Sequence, residues 1–143
     1  MGEKQNLLSL EDVCIGYETP TGTVRAVVNA TLSLSAGDTL GIVGESGSGK
    51  STLAHGILRL LPKIAVVTGR MMFQDVDLLR CDAKTLKDLR WKDIAVVFQK
   101  SMNSLSPVHK VGEQIVDIYR VHVPQATKEE VYDRMRHLLS VVN

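Results

Sequence analysis

Leu8, Leu10, Val13, Ile15 and Tyr17 stand among polar residues at near-alternating positions, the period of a half-buried strand. The Thr19-Pro20-Thr21-Gly22 cluster predicts the turn that ends it. Val24 to Val28 and then Ala30 to Leu34 are again alternating and β-branched, and the run stops at Ala36-Gly37-Asp38. The amino-terminal part therefore reads as an antiparallel β layer. Thr39 to Val43 differs: it is a short continuous apolar run that stops at Gly44, which predicts a buried parallel strand. Beyond it Leu53, Ile57, Leu58 and Leu61 recur at helical spacing until Pro62, which cannot continue a helical hydrogen-bond ladder.

Further along, Val66 to Phe73 predicts a strand interrupted by Gly69, Ala83 to Trp91 a short helix, and Ile94 to Phe98 a strand ended by Gln99. Ser101 to Lys110, polar and carrying Asn103 and Pro107, predicts a loop; Val111, Ile115 and Ile118 then resume helical spacing. Thr127 with Glu130 three residues on is a capping box, and Val131, Met135, Leu138, Leu139 and Val142 form the apolar stripe of the helix it starts. That helix carries no glycine cap, terminal proline or basic last turn, so the sequence is expected to stop inside a larger fold.

With 143 residues, 44% of them apolar and 23% charged, the chain has the composition of one compact domain. A net charge of +1 gives no global field for nucleic acid or anionic membrane, so any basic site must be local and no nucleic-acid partner is expected. No apolar run approaches the roughly 20 residues that span a bilayer. The start, MGEKQNLLSLED, fits neither a secretory signal nor a myristoylation motif, which places the chain in the cytoplasm. Cys14 and Cys81 are isolated and read as reduced, partly buried thiols; His55 and His109 read as surface or helix-face residues.

The chemistry is concentrated in Gly44-Glu45-Ser46-Gly47-Ser48-Gly49-Lys50-Ser51, which matches G-x-x-x-x-G-K-[ST]. Its glycines let successive backbone N–H groups turn inward, and with the positive end of the helix beginning near Lys50 they make a concave anion site. Lys50 adds a mobile full charge for the β- and γ-phosphates. Ser51 offers a hydroxyl to magnesium and Thr52 a contact to the α-phosphate. An ordinary glycine-rich turn is the bland alternative, and the strand before and helix after the loop argue against it. The pattern predicts a nucleoside triphosphate site, for ATP with Mg2+.

GIVGESGSGKST resembles the Walker A region of ATP-binding subunits of ABC transporters, and VFQKSMNSLSPVHKVGEQI resembles their Q-loop region. Within that superfamily, GTVRAV and SLSPVHKVGEQI are most similar to the dipeptide, oligopeptide and nickel importer branch. The likeness covers nearly the whole chain from Leu7. It implies an α/β P-loop NTPase fold: a RecA-like core, here incomplete, with an antiparallel β subdomain and the start of a helical subdomain. By position, Tyr17 corresponds to the A-loop aromatic that stacks on adenine. Gln99 corresponds to the Q-loop glutamine, which reaches magnesium and the attacking water, and Ser101 to Lys110 to the segment where the membrane subunit docks. The implied partners are transmembrane permease subunits and a second ATP-binding subunit, at the inner face of the cell membrane. Phe73-Gln74-Asp75-Val76-Asp77 departs from the family, which has a glycine turn there; a hairpin should feel this, not the site.

Residues 1–143 contain Walker A and the Q-loop but not the family's signature motif, Walker B carboxylates or switch histidine. Glu113, Asp117, Glu129, Glu130 and Asp133 lie on predicted helices and read as a solvated face, not as a catalytic base. The chain by itself is therefore expected to bind ATP and to hydrolyse it slowly or not at all, with a central sheet lacking strands between the Walker and Gln99 segments. Two other readings are a non-catalytic nucleotide-binding or interaction module, and a nucleotide kinase, which would need an acceptor site and basic lid residues.

Overall fold

A computed structural model of the chain describes residues 6–99 and 105–142. The chain divides into two compact units, residues 1–87 and 88–143, taken in turn below.

The first unit is built on β1 (Asn6–Thr19), β2 (Gly22–Ser35), β3 (Ala65–Phe73) and β4 (Val76–Asp77), with α1 (Lys50–Ile57) between β2 and β3. The strands form one antiparallel sheet in the order β2-β1-β3-β4. β1 and β2 meet at the predicted turn, where Thr19 pairs with Gly22 and the Thr19 hydroxyl donates to the Gly22 carbonyl at 2.5 Å. The uneven spacing of apolar residues in β1 has a structural cause. Leu10 pairs with Leu32 but Val13 with Ala30, so β1 carries one extra residue, and Asp12 takes φ 48° at that bulge. The bulge turns Val13 and Ile15 back to the face that buries Leu10, and all three are fully buried with Met71 and Leu78.

β2 has bulges of its own. Ile15 pairs with Val27 while Gly16 pairs with Arg25, which leaves Ala26 as an extra residue on β2. α1 lies across this bulged sheet. A Cβ placed on Gly49, at the start of α1, would strike the Ala26 carbonyl oxygen and lie 3.2 Å from Val27 Cγ2. One placed on Gly56 would lie 2.8 Å from Ile15 Cδ1 and 3.7 Å from Met71 Cε. The helix thus runs from β2 over β1 toward β3, burying Leu53, with Leu58 buried just past its end. It stops short of the predicted Leu61, because Arg59 adopts φ 51° ahead of Pro62. The departure at residues 73–77 is the β3–β4 hairpin, with Gln74 taking the left-handed conformation usual for glycine (φ 50°).

α2 (Ala83–Leu89) follows. Asp82 accepts from the Thr85 N–H at 2.7 Å, the N-cap geometry that starts the helix. In the second unit α3 (Val111–His122) and α4 (Lys128–Val141) pair across a short connection. The predicted capping box is present: the Glu130 N–H donates to Thr127 Oγ1 at 3.3 Å and the Thr127 N–H to Glu130 Oε2 at 2.8 Å. Val116 and Val131 are buried, and Gly112 sits against Met135. Leu138, Leu139 and Val142 of the predicted stripe are exposed.

Two predicted strands are not formed. Thr39 to Val43 takes no strand pairing and is exposed throughout, with Val43 at 94% exposure. Of Ile94 to Phe98, only Ile94 joins a ladder, as an isolated parallel bridge to Arg90, and Val97 is 95% exposed. An apolar run becomes a strand only beside another strand, and among the described residues none forms a ladder alongside either segment. No helix among the described residues is long and apolar enough to cross a membrane.

Candidate functional site

Gly44 to Ser48 form an exposed loop leading into α1. The Ser48 N–H donates to the Glu45 carbonyl at 3.2 Å and closes a turn over Ser46 and Gly47. Gly47 and Gly49 both take positive φ, 82° and 89°, a region that costs a side-chain-bearing residue free energy. Gly49 is also the N-cap of α1, and with no side chain it offers no acceptor to the first helical turn. The first intrahelical bond runs from the Leu53 N–H to the Gly49 carbonyl at 2.8 Å. The amides of Lys50, Ser51 and Thr52 therefore lie ahead of the intrahelical ladder at the positive end of the helix, and no acidic residue occupies that first turn. Such an end is complementary to an anion.

Lys50 organises the loop. Its ammonium donates to the Gly44 carbonyl at 2.8 Å, to the Glu45 carbonyl at 2.6 Å and to Ser48 Oγ at 3.1 Å. The charge thus sits within the loop, among groups it can exchange for phosphate oxygens. Ser51 is exposed and Thr52 half-buried, both in the first turn of α1. A cavity of about 330 Å³ lined by Cys14, Gly16, Arg25, Asn29 and Thr68 lies elsewhere on the sheet, and none of residues 44–52 lines it. Residues 44–48 form an open surface loop.

Tyr17 lies on β1 in the same unit, half-buried, paired with Val24 of β2 and Ala65 of β3. Being two residues on from Ile15, it shares by strand alternation the face over which α1 passes. Gln99 belongs to the second unit, where it is exposed. The predicted docking segment Ser101 to Lys110 falls partly outside the described residues; residues 105–110 are described and are non-helical.

Three features of the two units escape a reading by periodicity. The Ala26 bulge that receives Gly49 has no sequence signal of its own. Nor do the two loop carbonyls that hold Lys50. Gln114, whose side chain bonds to residues 106 and 109, reads as an ordinary polar helix position.

Known proteins resemble this chain over most of its length. The family model described as ABC transporter matches residues 27–142. The chain is 38% identical over 136 residues to the oligopeptide transport ATP-binding protein OppD of Escherichia coli K12, covering 95% of this chain and 40% of that protein. It is 37% identical over 138 residues to the protein of the same name from Bacillus subtilis 168, covering 95% and 38%. To the probable peptide ABC transporter ATP-binding protein y4tR of Sinorhizobium fredii it is 36% identical over 138 residues, covering 95% and 41%. The chain thus spans about two fifths of the length of these relatives.

Proposed function

The chain belongs to the ABC transporter family, and on that premise we propose that it is the nucleotide-binding part of an ATP-hydrolysing subunit that energises an importer of peptides. The observation that carries the proposal is the loop from Gly44 to Ser51, with Lys50 bonded inside it and the free end of α1 behind it. The names of the relatives support peptides as the cargo. Nickel, the other cargo of the branch, finds no such support.

In this reading the loop amides of Glu45 to Lys50 bind the β-phosphate, and the Lys50 ammonium exchanges its carbonyl partners for β- and γ-phosphate oxygens. Thr52 contacts the α-phosphate. Tyr17 stacks on adenine, an interaction of about 1 to 3 kcal/mol with little preference among bases. Magnesium fits the donors present: Ser51 supplies one neutral oxygen, and the described residues contain no cluster of three His, Cys, Asp or Glu side chains. This suits an ion held largely by phosphate oxygens and water, with Ser51 and Gln99 as protein ligands. Bound there, the ion would neutralise developing charge on the phosphoryl group, while Gln99 orients the attacking water.

The RecA-like core, the docking of residues 101–110 on a transmembrane permease, pairing with a second ATP-binding subunit and residence at the cytoplasmic face belong to the same proposal. So does the behaviour of residues 1–143 alone, which bind ATP and turn it over slowly or not at all. Calorimetric titration of magnesium ATP into the chain and into Lys50→Ala, with phosphate release followed on the same samples, tests both parts. Lys50-dependent binding without turnover is expected. Equal binding by the variant would overturn the assignment of the loop, and Lys50-dependent turnover would overturn the expectation of an inactive chain.

A further inference from the structure

Gln114 lies one turn into α3, and side chains there lean back toward the helix amino terminus. Its carboxamide consequently reaches the segment that precedes the helix. Oε1 accepts from the Ser106 N–H at 2.8 Å, while Nε2 donates to the Ser106 carbonyl at 3.0 Å and to the His109 carbonyl at 3.0 Å. Both amide hydrogens and the oxygen are engaged, and the network leaves one orientation of the amide. Flipping it would set N–H against N–H and oxygen against two carbonyls. The pair of bonds to Ser106 is the pair that a neighbouring strand residue would make. A fourth contact closes the turn, between Ser106 Oγ and His109 Nδ1 at 3.0 Å. The clamped turn carries Leu105 and Val108 outward, Val108 at 81% exposure.

We propose that Gln114 is a positioning residue that presets residues 105–110 for the permease subunit, so that their ordering cost is met before the subunits meet. This rests on the reading above that the segment docks there. Three side-chain bonds to backbone are what a short turn with no ladder of its own needs to hold one conformation, and preordered loops bind more tightly because less entropy is lost on contact. The clamp's bonds join residues 106, 109 and 114, none of which the proposed nucleotide site uses, so nucleotide affinity should not depend on it.

Amide exchange in the full chain, with Gln114→Ala and Gln114→Glu, reads the clamp directly. In the alanine variant the Ser106 amide should exchange about fivefold faster, the worth of one net hydrogen bond, with the amides of residues 115–122 unchanged. The glutamate variant replaces both donors with a charged oxygen facing the Ser106 and His109 carbonyls, so it should lose that protection as well. The functional arm uses Val108→Cys cross-linking to the chain's own transmembrane subunits in co-expressed membrane vesicles. Gln114→Ala should lower adduct yield at unchanged magnesium ATP affinity. Unchanged Ser106 exchange in the alanine variant, or faster exchange with undiminished adduct, would overturn the proposal. Absence of any adduct from the parent Val108→Cys chain would instead sink the docking reading, and the exchange arm would still decide the clamp.

Discussion

Gly49→Ala separates two reasons for which the loop needs glycine. At φ 89° an alanine enters the left-handed region at a cost of about 1 to 2 kcal/mol. Its Cβ would also strike the Ala26 carbonyl oxygen and press on Val27 Cγ2, and because the first of these is backbone, the helix or the bulge must move. Overpacking of that kind costs about 1 to 3 kcal/mol. Together the two give about 2 to 5 kcal/mol, a large share of the roughly 5 to 15 kcal/mol by which small domains are stable. Gly47→Ala is the control: its φ of 82° is nearly the same, yet nothing lies within 4 Å of its Cβ, so only the backbone cost applies. Urea unfolding followed by far-ultraviolet circular dichroism compares the two variants at equal slope. The Gly49 variant should lose about 1 M or more in midpoint, and the Gly47 variant distinctly less. Magnesium ATP affinity should fall more at Gly49, because the helix end must withdraw from the position in which its amides face the loop. Equal midpoint losses for the two variants would show that the close approach to β2 contributes nothing and would refute the reasoning.

Tyr17→Ala should weaken magnesium ATP binding by about 1 to 3 kcal/mol while Tyr17→Phe leaves it near the parent value; equal loss in both would exclude stacking as the cause. Thr127→Ala should cost about 1 kcal/mol in urea unfolding of the α3–α4 pair, since it removes the acceptor for the Glu130 N–H, and an unchanged midpoint would count against the cap. The Asp82 carboxyl is held below the ordinary aspartate range, chiefly by the hydrogen bond from the Thr85 backbone N–H and next by the Thr85 side chain. A depressed folded-state value means that this contribution to stability is fully present above the ordinary range and is lost as pH falls through the lowered value. A carboxyl titration by NMR that placed Asp82 at the ordinary aspartate position would contradict it.

Much of the fold was legible because its signals are local. The turn at residues 19–22, the break before Pro62 and the capping box at Thr127 are each set by residues within a few positions of one another. The bulges were not legible as such. The three-residue step from Leu10 to Val13 marks one of them, but only its pairing with Leu32 and Ala30 reveals that Asp12 is the extra residue. Ala26 gives no mark at all, since its role is to present a carbonyl to a helix whose N-cap, Gly49, lies 23 positions later. The segments Thr39 to Val43 and Ile94 to Phe98 failed for the opposite reason. Their composition states a preference for burial, and composition cannot supply the neighbouring ladder that a strand requires.

The loop keeps its shape although the run before it forms no strand, and this indicates where its order comes from. Upstream, Leu40, Ile42 and Val43 are exposed and contribute no ladder. Downstream, Gly49 is seated on the Ala26 bulge, Leu53 is buried and Gly56 lies on Ile15, so the amino end of α1 is fixed to the sheet. Within the loop, Lys50 ties Gly44, Glu45 and Ser48 together. The amino end of α1 and its loop are therefore anchored from the helix side and by their own lysine, and a phosphate that drew the Lys50 ammonium away would also release three of the bonds that hold the loop. Ligand binding must replace those bonds, so the amides of Glu45 to Ser48 should gain order from the phosphate oxygens at the moment the lysine leaves the carbonyls. In this chain the lysine thus holds the loop in the same place where, as a ligand to phosphate, it would give that hold up.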